Sequence, residues 1–150
     1  MGAKTTAAAT SLLNHILNNA AWTNIGDAPG LLPSATTGVL WLSLHTADPG
    51  IAGDQTTNEL AYTGSGRIGV ARDGTQWNIV GNTATNLAVL TFAACAGGSG
   101  TATFVGIGTA NAGAGNLLYR ATITTPVAGL NISAGITPII QIGSATVQEL

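Results

Sequence analysis

The chain has 150 residues, with four Lys or Arg, six Asp or Glu, two His and one Cys, and a formal net charge of −2 at pH 7. Charged residues are only 7% of the sequence, which excludes a phosphate-tracking surface, since Lys4, Arg67, Arg72 and Arg120 are few and scattered. Apolar runs are broken by Gly, Thr and Asn well short of the ~20 residues that cross a bilayer, which argues against a membrane partner.

Residues 5–22 carry the only helical periodicity. Leu12, Leu13, Ile16, Leu17 and Ala20 fall on one face, and Thr5 or Thr6 can cap the start. Residues 23–38 read as an extended arm or linker, because Gly26, Asp27, Pro29, Gly30, Pro33 and Gly38 exclude a long regular element. From 39 onward the period becomes that of strands. Residues 39–45 read as a buried strand, ended by the turn chemistry of Ala47-Asp48-Pro49-Gly50. A polar loop over 50–66 follows, with room for a short strand near 60–62. Further strands are expected at 67–72, 77–80, 87–92, 102–108, 117–123, 136–142 and 145–148. About eight short strands with Gly, Asn and Asp turns predict a mainly β fold: an antiparallel β-sandwich or jelly roll with one N-terminal α-helix. No repeat or composition break divides residues 1–150, so a single domain is expected, with the sandwich over 39–150.

Motifs that carry chemistry are weak. Gly64-Ser65-Gly66-Arg67-Ile68-Gly69 fits G-x-G-x-x-G, but a polar loop precedes it and a strand is expected after it, which is the wrong context for a dinucleotide. His45 and Asp48 straddle a strand end and a turn, with no Ser or Cys nucleophile placed near them, so they read as a half-buried His and a turn cap. Two His and one Cys make a zinc site improbable, and Asp48, Asp54, Glu59 and Asp73 do not follow a calcium-loop pattern. Cys95 ends an apolar run and reads as a small buried hydrophobe. Trp41 and Trp77 lie in strands and read as core or interface. Met1-Gly2 is not read as a lipidation signal. No catalytic residue, metal or cofactor is expected.

The low charge is itself informative. A Thr-, Ser-, Asn- and Gly-rich surface has few charges to desolvate when another protein covers it. This predicts a chain that works inside an assembly. The candidate contact residues are Leu12, Leu13, Ile16 and Leu17 on the helix, with Trp22, Leu31 and Leu32 beside and within the arm. The helix stripe can equally pack on the chain's own sheet.

Several segments, in order, resemble one family. They are Leu12-Leu13-Asn14-His15, Leu42-Ser43-Leu44-His45-Thr46-Ala47-Asp48-Pro49-Gly50, Thr57-Asn58-Glu59-Leu60 with Tyr62, Asn82-Thr83-Ala84-Thr85-Asn86, Val105-Gly106-Ile107-Gly108, Gly115-Asn116-Leu117-Leu118-Tyr119 and Ala134-Gly135-Ile136-Thr137-Pro138. Together they resemble small virion structural proteins of tailed bacteriophages, often labelled tail fibre proteins and related to jelly-roll capsid cement proteins. The chain departs from that pattern in its long 24–38 segment and in Ser65-Gly66, where an aromatic residue is usual. The resemblance implies a non-enzymatic virion protein. The expected role is cement on the capsid exterior, with the major capsid protein and copies of itself as partners. A tail fibre or tail adaptor is the alternative, and a carbohydrate-binding module a further one.

Overall fold

A computed structural model describes residues 3–123, 126 and 128–149, so the Met1-Gly2 reading lies outside the described residues. One helix, α1 (Thr6–Asn18), precedes eleven strands. These are β1 (Val39–His45), β2 (Ile68–Ala71), β3 (Trp77–Val80), β4 (Thr83–Asn86), β5 (Leu90–Thr91), β6 (Ser99–Ala102), β7 (Phe104–Gly108), β8 (Leu117–Thr122), β9 (Leu130–Ser133), β10 (Ile139–Ile140) and β11 (Thr146–Gln148). All pairings are antiparallel. The main sheet has the order β2-β1-β7-β8; the others are β11-β4-β3, β10-β5 and β6-β9. The mainly β, sandwich-like architecture follows the expected class.

The helix is shorter than the expected 5–22. Thr5 caps it, its hydroxyl accepting from Ala8 N at 3.2 Å. Asn19 then turns left-handed at φ 51°, a conformation Asn tolerates, and its N–H bonds Asn14 O. Arg72, which follows β2, donates to the carbonyls of His15 and Ile16. A cation is thereby set against the negative end of the helix dipole.

Leu13 and Leu17 are fully buried, together with Ala9, and the helix packs on β3 and β4. Burial of each leucine contributes about 2 kcal/mol. These two residues therefore belong to the chain's own core, which corrects their reading as contact residues. Ile16 is partly buried against the same core. Side chains of the helix also cover the edge of β3, with Asn18 Nδ2 donating to Trp77 O at 3.4 Å and Thr10 bonding Gly81 O.

Strand bounds differ from expectation where polar residues alternate. The expected strand over 87–92 is instead β4 at Thr83–Asn86 followed by the two-residue β5. In β4 only Ala84 and Asn86 face inward, so no apolar run announces it. The expected 102–108 strand is split into β6 and β7, and 136–142 keeps only Ile139–Ile140. β9 is a strand that no apolar run marks. Near 60–62 there are only bridges, His45 with Glu59 and Thr63 with Gly97.

Candidate functional site

The main sheet is covered on both faces. Leu40, Leu42 and Leu44 of β1 point into the sandwich core. The alternate residues Trp41, Ser43 and His45 point the other way. Among the described residues no helix covers this second face. The loop over 46–63 covers it, and three glycines leave the space. Gly69 of β2 and Gly106 and Gly108 of β7 pair with Trp41, Ser43 and Trp41 respectively. A Cβ on Gly106 would lie 2.6 Å from His45 Nε2 and 2.9 Å from Ser43 Oγ.

Into this space the loop inserts Gln55, which is fully buried. Its amide donates to Trp41 O at 3.1 Å, and its carbonyl accepts from Ala110 N at 2.9 Å. Beside it, His45 is also fully buried. His45 Nδ1 donates to the Thr57 carbonyl at 2.8 Å, so in the neutral ring Nε2 accepts from Ser43 Oγ, also at 2.8 Å. Sequence reasoning placed no nucleophile near His45, yet Ser43 is its partner; the i, i+2 spacing on a strand is the signal that finds it. The pair has the connectivity of a serine–base dyad, but Ser43 is 1% exposed and has no approach for a substrate. It serves to hold the loop.

Two ion pairs clamp the same loop. Arg67 Nε and Nη2 each lie 2.7 Å from a Glu59 carboxylate oxygen, and its remaining donors reach Ala110 O and Gly113 O. Its side chain is 2% exposed. Asp48 bonds Arg120 through both oxygens, at 2.6 and 2.7 Å, and accepts from Gly50 N. Asp48 thus caps a turn, as its position suggested, and does not partner His45. Arg67 lies within the glycine-rich Gly64–Gly69 segment, which leads into β2 rather than into a helix. A cleft of about 470 Å³ opens above the Arg67–Glu59 pair, with Leu60, Tyr62, Ser65 and Asn111 among its walls.

Burial holds the His45 pKa below its usual 6.5, opposed by its bond to Thr57. Hydroxyl and N–H donors of Thr56 hold the Asp54 carboxyl below the usual 3.8. The folded chain therefore binds fewer protons at His45 than the unfolded chain does. Stability from this site is full above pH 6.5 and declines as pH falls below it. Thermal melts from about pH 8 down to about pH 5 should show a falling midpoint, and the fall should flatten in His45→Asn. An unchanged midpoint across that window would contradict the assignment. The Asp54 contribution is lost only below 3.8, outside this window.

Every charged side chain of the sequence has an internal partner. Lys4 pairs with Glu149 at 2.9 Å, and Asp27 and Asp73 cap the turns to Gly30 and Thr75. Asp27, Asp54, Asp73 and Arg72 bond uncharged groups, so the surface is sparsely charged rather than neutral. Exposed apolar side chains are spread over it, among them Ile51, Val80 and Ile142, and one group of them lies on the arm. Trp22 and Leu31 exchange both main-chain hydrogen bonds, closing residues 22–31 into a loop, and Asn19 and Ser34 bond each other twice. The arm is thus folded on itself rather than extended. Leu32 is 65% exposed, and Ile25 and Leu31 are also exposed, whereas Trp22 and Leu12 are half-buried. Of the sequence-selected contact residues, only Leu31 and Leu32 are exposed.

Cys95 is buried and Trp77 lies in the core, as their sequence context suggests. Among the described residues, no three His, Cys, Asp or Glu side chains cluster to hold a metal, and no helix is long and apolar enough to cross a membrane.

These features define a structural β-sandwich whose most elaborate polar groups brace a loop and whose surface is sparsely charged. Its sequence matches the family described as podophage GP4 fiber I protein gp80 over residues 3–148, and the chain belongs to that family of tailed-phage virion structural proteins. No curated protein matches it.

Proposed function

We propose that the chain is a non-enzymatic component of a phage tail fibre and contacts a neighbouring virion subunit through its arm. Membership of a family named for a fibre protein, over nearly the whole chain, is the observation that carries this reading. The exposed Leu31 and Leu32 supply apolar area, and the sparsely charged surface keeps the cost of desolvation low. The second reading is cement on the capsid exterior, bound to the major capsid protein. The low charge content favours it, because a contact repeated over a shell gains from cheap desolvation.

Copy number per virion, measured by quantitative mass spectrometry against the major capsid protein, separates the two. A handful of copies supports the fibre. A ratio near one to one overturns it in favour of cement. The arm is tested by Leu32→Asp, which should leave the melting temperature within about 2 °C of wild type while lowering incorporation into particles. Undiminished incorporation removes the arm from the contact.

A further inference from the structure

We propose that the outer edge of β8 pairs with the same edge of a second copy of this chain, so that the main sheet runs on across a two-fold axis. This goes beyond the virion reading and does not depend on the choice between fibre and capsid.

Ile123 N donates to Thr103 O, so the alternation of an antiparallel pair turns Ala121 and Tyr119 toward β7 and turns the main-chain groups of Arg120 and Thr122 outward. Neither residue has a main-chain partner on that side among the described residues. In the free chain water can pair with these groups, and another extended backbone can replace it at both an N–H and a C=O of each position. At the β3 edge, side chains of α1 already hold the carbonyls of Trp77 and Gly81. β2, at the far edge of the main sheet, is four residues long and has Gly69, which weakens a strand, at an outward position. β11 lies across the inner side of β8, where Val147 and Tyr119 flank the same narrow space, and leaves the outer side clear. There a groove of about 230 Å³ runs between β8 and Ile51, which is 96% exposed.

Charge argues for a second copy as the occupant. An edge strand is ordinarily protected by a charge, and here that charge is Arg120. Asp48 of the same chain neutralises it through both carboxylate oxygens. The edge therefore offers nothing to attract an acidic partner and nothing to repel itself. A two-fold axis at Ala121 sets Arg120 opposite Thr122 of the other copy. Arg120 and Thr122 of each chain then exchange all their outward main-chain groups, and the two arginines are not directly opposed.

Sedimentation of the full chain over a concentration series tests this. Wild type should show a reversible monomer–dimer equilibrium. Thr122→Pro removes only an outward N–H, which an edge strand tolerates, and should raise the dissociation constant by about tenfold or more at unchanged melting temperature. Thr122→Lys and Thr122→Glu are matched polar extensions of the same site. Either one sets a like charge on both copies beside the axis and should weaken the dimer, an effect that added salt reverses, and this decides the matter if the proline variant fails to fold. A wild type that stays monomeric up to its solubility limit overturns the proposal. So does a dimer indifferent to all three substitutions, or one lost in Leu32→Asp and kept in the Thr122 variants.

Discussion

Gly108→Ala is expected to destabilise the fold by about 3 kcal/mol or more, read from denaturant unfolding at constant slope. The added methyl would enter the space held by the Gln55 amide and approach the main-chain oxygen of Asn116 to 2.6 Å. A main-chain oxygen cannot swing away as a side chain can. Gln55 would have to leave, and its two buried hydrogen bonds would go with it, exposing the Ala110 N–H and the Trp41 carbonyl. Gly66, which has nothing within 4 Å of an added Cβ, provides the control. Gly66→Ala should change stability by no more than about 0.5 kcal/mol. Equal effects at the two positions would mean that the loop does not dock as described.

Glu59→Ala should cost about 3 kcal/mol, because it strands a guanidinium that is 2% exposed. Arg67 would keep Ala110 O and Gly113 O but lose both carboxylate oxygens. Arg67→Met should cost less. It removes the buried charge together with its need for a partner, and Glu59, 29% exposed, can turn to water. The ordering of the two variants in chemical unfolding is the decisive reading. An Arg67→Met variant less stable than Glu59→Ala would show that packing of the arginine stem, rather than its charge, holds the loop.

The elements that were legible in the sequence share a cause. β1, β3, β8 and β11 carry apolar residues at the strand period, and α1 carries Leu13 and Leu17 four apart; these signals are local. β4, β6 and β9 are built from Thr, Ser, Asn, Gly and single small apolar residues, so their pairing depends on partners distant in sequence. The loop over 46–63 was legible as polar but not as a cover. Its docking depends on Gln55 meeting Gly108, and no pattern within either segment specifies the other. The helix stripe was legible as apolar, but not which surface would bury it; β3 and β4 of the same chain do so.

The arm shows what self-closure implies for recognition. Its Trp22–Leu31 and Asn19–Ser34 bonds fix a segment that has no core beneath most of it. A free tail of similar length would lose about 1–2 kcal/mol of backbone entropy per residue on becoming ordered against a partner. Here that loss is incurred during folding. In the contact proposed for them, Leu31 and Leu32 would meet a neighbouring subunit already in place, so more of the gain from covering them would remain as affinity.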